Sequence, residues 1–161
     1  MTIAVKPVTL ENLEDEMEPC LEEISPERKH EFLACCQAKK KWFKDTTDKY
    51  GVCGFVAYLD GRPTGLIEFL PVDALPYPDN RPEDTRFILC AYVRRDCQKR
   101  GIGHHMFQHL INYLKDTSIP YFNGRKTAAM EVYVPDQIQG GPPTFNFQRE
   151  AKSSTKDLDS S

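Results

Sequence analysis

Gly101 and Gly103, set between an uninterrupted apolar run and an amphipathic helix, restrict this chain more than any other feature. The run Phe87 to Val93 has the length and composition of a strand buried on both faces, and so of a central strand in its sheet. In Gly103 to Asp116, Phe107, Leu110, Ile111 and Leu114 recur at the spacing of one helical stripe, with His105, His109, Asn112 and Asp116 on the opposite face. Gln98-Lys99-Arg100-Gly101-Ile102-Gly103 joins the two. A helix N-terminus carries unpaired amides and partial positive charge, and so attracts anions. Glycines there let the main chain approach a ligand closely, and Arg94, Arg95, Lys99 and Arg100 add charge. Strand, turn and helix together predict a phosphate cradle built mainly from main chain.

Spacing separates the kinds of cradle. A dinucleotide turn requires G-x-G-x-x-G, but Met106 stands where the third glycine belongs. The G-x-x-x-x-G-K-S/T of a P-loop is absent. What remains is Q-x-x-G-x-G entered from a strand that ends at Val93.

The flanking segments have a fixed order. Ile3 to Val8 alternates as a first strand, and Thr9 is placed to cap a short helix ending near Met17, before Pro19. Ser25-Pro26 opens a second helix reaching about Tyr50, with Phe32, Cys35, Cys36, Lys39, Trp42 and Phe43 on its inner side. Trp42 and Phe43 are expected to anchor that helix in the core. Val52 to Leu59 and Thr64 to Leu70 form a hairpin around Asp60-Gly61-Arg62-Pro63. The proline-rich stretch Pro71 to Glu83 is a surface loop, and Ala128 to Val134 is a further strand stopped by Pro135. Residues 1–144 are expected to form one domain, and 145–161 a polar, disordered tail.

Composition excludes some functions. A net charge of −3 does not suit a general nucleic-acid binder. No apolar run approaches the roughly 20 residues of a membrane-spanning helix. The N-terminus lacks a leader pattern and the six cysteines form no CxxC pair, which points to buried thiols in a reducing compartment, cytoplasmic or nuclear. Cys90 and Cys97 flank the turn as space-filling residues. Eight acidic residues between Glu11 and Glu27, and the later group Lys39, Lys40, Lys41 and Lys44, read as two solvated helix faces. His105 and His109 have the i, i+4 spacing of zinc ligands, but lack the glutamate of H-E-x-x-H and a third ligand, so no metal site is expected.

On the turn, and on the order of helices, hairpin, strand and cofactor helix, the chain resembles motif A of the GCN5-related N-acetyltransferase (GNAT) family over about two thirds of its length. The resemblance implies an α/β domain with a mixed, mostly antiparallel sheet flanked by helices. It also implies acetyl transfer from acetyl-CoA to a primary amine by direct attack, without a metal or a covalent enzyme intermediate. The main chain of Ala91, Tyr92 and Val93 would pair with the pantetheine arm, and Gln98, Lys99, Arg100, Gly101, Ile102, Gly103 and His104 would wrap the pyrophosphate. Unpaired amides between the strands ending at Val93 and Val134 would polarise the thioester carbonyl. The acceptor is an amine on a small molecule or a peptide.

The catalytic residues are less legible. Where histone-type relatives carry a glutamate, this chain has Phe87, which leaves Glu68 and Glu131 as substitutes by type for the general base. A strand carboxylate is, however, more often a solvated edge residue. Relatives continue with a helix bearing a tyrosine acid and a closing hairpin. Here only 27 residues follow Val134; they include Phe145, Phe147 and Arg149, and no tyrosine follows Tyr133. Three expectations follow: Tyr133 protonates the leaving thiolate, water does, or the chain is shortened. A cofactor-binding regulatory module and a dimer that supplies the missing strands are the rival readings.

Overall fold

The computed structural model describes residues 1–75, 82–117 and 124–132. A five-stranded sheet runs in the order β1 (Ile3–Pro7), β2 (Gly54–Leu59), β3 (Arg62–Pro71), β4 (Thr85–Val93) and β5 (Ala129–Val132). The first four strands are antiparallel to their neighbours, whereas β5 runs parallel to β4 from the pair Thr85 and Ala129 to the pair Ile88 and Val132. This is the mixed, mostly antiparallel sheet that the resemblance implies.

Helix α3 (Ile102–Asp116) covers one face. Its stripe of Ile102, Met106, Phe107, Leu110, Ile111 and Leu114 packs on Phe55, Ile67, Phe69 and Ile88. Full burial of a leucine such as Leu110 contributes about 2 kcal/mol. Helices α1 (Leu13–Met17) and α2 (Lys29–Tyr50) cover the other face, where Leu13, Met17 and Phe43 meet Val8, Val56 and Tyr58. Among the described residues no helix is long and apolar enough to cross a membrane.

Local chemistry moves several boundaries. The hairpin turns on Asp60 and Gly61 alone, at φ of 50° and 83°, so Arg62 and Pro63 already belong to β3. Asn12, not Thr9, precedes α1; its side chain accepts from the Thr9 amide at 2.7 Å and donates to the Pro7 carbonyl at 3.0 Å. Pro19 does not end the path but lies in a 3-10 turn, Glu18–Glu23. Pro26–Arg28 is likewise a 3-10 turn, and α2 follows it without a side-chain cap from Ser25.

The inner line of α2 is Phe32, Cys36, Lys39, Phe43, Thr46 and Tyr50, a 3-4 alternation that leaves Cys35 exposed. Trp42 is not an anchor. It precedes the buried Phe43 by one position, which rotates it about 100° away from that line, and it stands 39% exposed.

Nor is β4 buried throughout. Thr85 to Ile88 is buried, but from Leu89 the pattern loosens and Leu89 and Ala91 are exposed. The strand lies inside the sheet, between β3 and β5, although β3 is the middle strand. Tyr133, the end of the strand expected through Val134, and the tail expected at 145–161 lie outside the described residues.

Candidate functional site

The turn after β4 is held in shape by its own residues. A 3-10 turn, Arg95–Cys97, reverses the chain, and the Gln98 side-chain amide donates to the Val93 carbonyl at 2.9 Å. Lys99 and Gly101 then take left-handed backbone at φ of 60° and 81°. For Lys99 that conformation costs about 1 kcal/mol, the kind of strain that persists where a loop shape is needed.

Gly101 is the residue before α3, and no side chain among the described residues caps the helix N-terminus there. Its first turn contains no acidic residue. A Cβ on Gly101 would meet only His105 Nδ1, at 3.9 Å, so the space over the turn is open. Intrahelical bonding starts with the His105 amide, which donates to the Gly101 carbonyl at 3.0 Å. The exposed side chains of Lys99 and Arg100 therefore stand at the positive end of a 15-residue helix, in whose first turn Ile102 and Gly103 are buried and His104 is exposed.

Arg94 and Arg95 do not add to this charge as the sequence predicts. Arg95 pairs with Glu23 at 2.8 Å, while Arg94 reaches Asp96 at 3.3 Å and Glu18 at 3.7 Å. The Arg95 amide also donates to Glu22 at 2.7 Å, and the Tyr92 hydroxyl donates to both Glu22 and Glu23. Burial and those two carboxylates push the Tyr92 phenol well above its ordinary range. The acidic run is thus partly spent on docking the Glu18–Glu23 turn against the end of β4.

Close packing sets the turn against the sheet. A Cβ on Gly65 of β3 would lie 3.0 Å from the Tyr92 carbonyl oxygen and 3.0 Å from Met106 Cε of α3. A glycine there leaves room for this approach, which a Cβ would force apart by a few tenths of an ångström.

The edge of β4 beside β5 is the second element. Among the described residues β5 pairs with Thr85 to Ile88 alone, while Cys90 to Val93 are paired through β3. The ladder with β3 also slips between Glu68 and Phe69: Glu68 faces Cys90, Phe69 faces Ile88, and Leu89 is the extra residue of a bulge, 39% exposed. Ala91, Tyr92 and Val93 lie between that bulge and the turn.

Below the bulge, on the face covered by α1 and α2, is a charged triad. Lys39 Nζ stands 2.8 Å from Glu16 Oε2 and 2.5 Å from Glu68 Oε1. Glu16 is only 1% exposed and Glu68 only 18%. Burial, with Glu68 next to it, raises the Glu16 carboxyl to about 8, against the opposing pull of Lys39. Burial acts in the same upward sense on Glu68, but its hydrogen bond with Glu16 and the Lys39 charge outweigh it and hold it below its ordinary value. Lys39 in turn is raised, because the two carboxylates outweigh its own burial.

Glu68 is thus no solvated edge residue, and Glu16 and Lys39 do not belong to solvated helix faces. The two charge runs face each other, since Lys40 also meets Glu14, at 2.8 Å. A lysine on the inner line of a helix, as Lys39 is, was the available sign that a buried carboxylate would be needed. Glu131 is exposed and lies in register with the buried Phe87.

Burial pushes the Cys90 thiol up to about 11 and raises that of Cys97 as well, so neither is set up as a thiolate. His105 and His109 are exposed, and His109 meets the Phe55 ring edge-on at 4.7 Å. Among the described residues no three His, Cys, Asp or Glu side chains gather as a metal site would require.

The fold has counterparts among known proteins. The profile of the acetyltransferase (GNAT) family matches residues 10–133. Among curated proteins none matches the sequence. Similar solved structures include AAC(6')-Iy in complex with the bisubstrate analogue CoA-S-monomethyl-acetylneamine, at 13% identity and a TM-score of 0.59, covering 96% of this chain and 90% of that one. PaiA N-acetyltransferase from Thermoplasma acidophilum, in complex with coenzyme A, is 16% identical at a TM-score of 0.56, covering 95% and 89%. A GNAT family acetyltransferase from Brucella melitensis, in complex with acetyl-CoA, is 14% identical at 0.54, covering 92% and 81%. At such identities the likeness is one of fold.

Proposed function

The chain belongs to the GNAT family of acetyltransferases, and from that premise we propose that it transfers an acetyl group from acetyl-CoA to a primary amine of a small molecule or peptide. The observation that carries this reading is the uncapped N-terminus of α3, opened by the left-handed Gly101 and ending a strand whose outer edge is only partly paired among the described residues. A pyrophosphate needs amide donors, positive charge and room, and the turn has all three.

In this reading the amides of Gln98 to His104 hold the pyrophosphate, with Lys99 and Arg100 as mobile counter-charges. The main chain of Ala91, Tyr92 and Val93 pairs with the pantetheine arm as an added strand would. Acetyl-CoA supplies an acetyl group activated as a thioester. The chain contributes orientation, main-chain donors near the Leu89 bulge that stabilise charge developing on the carbonyl, and a path for the proton that leaves the amine. Protonation of the leaving thiolate falls to Tyr133 or to water; Tyr133 lies outside the described residues.

Two measurements test the proposal together: calorimetric titration with coenzyme A, and release of free thiol from acetyl-CoA in the presence of a panel of amines. Binding with amine-dependent thiol release is expected. Binding without turnover on any amine would instead make the chain a cofactor-binding module, and failure to bind would remove the proposal.

A further inference from the structure

The Glu16, Lys39 and Glu68 triad carries one more carboxylate than ammonium in a largely buried place. Its members come from α1, α2 and β3, so the fold, and not local sequence, brings them together. Lys39 Nζ touches both oxygens of Glu16, at 2.8 and 3.1 Å, and one of Glu68. Two buried carboxylates this close favour keeping one proton between them, and the Lys39 charge opposes this only in part.

The position of the triad matters as much as its charge. Glu68 is the cross-strand neighbour of Cys90, and the bulge at Leu89 is the next step along β4. Directly opposite residues in a ladder have Cβ atoms about 5 Å apart. Under the reading of β4 proposed above, on which this inference rests, the strand from Val93 back to Leu89 leads from the pyrophosphate end to the acetyl end. The triad therefore lies beside the reacting end, on the α1 and α2 face.

We propose that Glu16 and Glu68, both held by Lys39, share a single proton directly between their carboxyl groups and form the unit that takes the proton from the acceptor amine. Glu68 is the group that faces the amine, directly or through a water, while Glu16 and Lys39 are positioning residues that set its proton affinity. The N–H electron pair stays on nitrogen as the N–C bond forms, the C–S pair leaves with sulfur, and the proton passes to a carboxylate oxygen. A single solvated carboxylate is a weak base for an ammonium, whereas a doubly ionised buried pair has a proton affinity near neutrality, where a base works best. The other titratable groups facing the pair are Cys20 from the Glu18–Glu23 turn and Cys90 from β4, thiols that burial raises to about 12 and about 11. Near neutral pH both are therefore uncharged.

The test begins with the cofactor-free protein. Carboxyl carbon shifts of Glu16 and Glu68, followed by NMR across the pH range, should show one step near pH 8 that moves to lower pH in Glu68→Gln, where the second carboxylate is gone but the burial of Glu16 remains. In the enzyme, kcat/KM for one amine should rise through the same pH region. Glu16→Gln, isosteric and checked for fold by its amide spectrum, should lose that limb and at least about tenfold of the rate above it, with coenzyme A affinity unchanged. Because the same amine is used for both proteins, its own titration cancels. Both carboxyls titrating in the ordinary carboxylate range, or a Glu16→Gln profile parallel to the wild type, would overturn the inference. Absence of turnover on every amine overturns the enzymatic reading and this role with it, and the carboxyl titration then decides proton sharing by itself.

Discussion

Gln98 closes back on Val93: the side-chain amide of the residue that begins the turn donates to the carbonyl that ends the strand, at 2.9 Å. The first letter of Q-x-x-G-x-G is therefore a brace for the loop. Its removal should loosen the turn without disturbing α3, whose stripe is buried independently. Gln98→Ala is expected to weaken coenzyme A binding by roughly three- to tenfold, the range for one hydrogen bond of about 1 kcal/mol. Calorimetric titration reads it, and an unchanged affinity would show that the brace is dispensable.

Gly101→Glu should abolish coenzyme A binding while the protein remains folded. The added Cβ meets little, but φ of 81° strains any side chain by about 1 to 2 kcal/mol, and the carboxylate would sit in the anion seat. Gly101→Ala separates the two effects: it carries the strain without the charge, and should lose stability as Gly101→Glu does while keeping measurable binding.

Gly65→Ala tests the contact that sets the helix against the sheet. With main chain 3.0 Å from the new methyl, the Met106 thioether is the flexible neighbour, while the Tyr92 carbonyl belongs to the β3–β4 ladder and must shift by a few tenths of an ångström. A loss of about 1 to 3 kcal/mol is expected from overpacking, read as a lower melting temperature. Coenzyme A affinity should fall as well, because the strand and helix that form the cradle are pushed apart.

Such contacts separate what the sequence discloses from what it hides. The cradle is local: a strand, a turn and a helix contiguous from Thr85 to Asp116, marked by an apolar run, by Gly101 and Gly103, and by a helical stripe. The Asp60-Gly61 hairpin is local as well. The triad is not, since positions 16, 39 and 68 meet only because α1 and α2 fold over β3. The Leu89 bulge is invisible in a continuous apolar run, because a register slip changes pairing without changing hydrophobicity. Trp42 misled because size favours burial, but its position on the helix decided the outcome.

The buried carboxyl also has a signature in stability. Glu16 is raised from 4.5 to about 8 in the folded protein, so the folded state holds its proton more tightly than the unfolded chain does. Its contribution is fully present below about pH 4.5 and is lost as pH rises through about 8. The wild-type melting temperature should therefore decline across that window more steeply than that of Glu16→Gln, which has no proton to lose. Parallel curves for the two proteins would contradict a raised Glu16.

The most direct measurement is a backbone amide NMR titration with coenzyme A. Saturable shifts are expected on Lys99 to His104, with smaller ones along Ala91 to Val93, and none of that size at the far end of α3. Shifts centred elsewhere, or none at saturating ligand, would contradict the claim that main-chain amides at one helix entrance hold the cofactor.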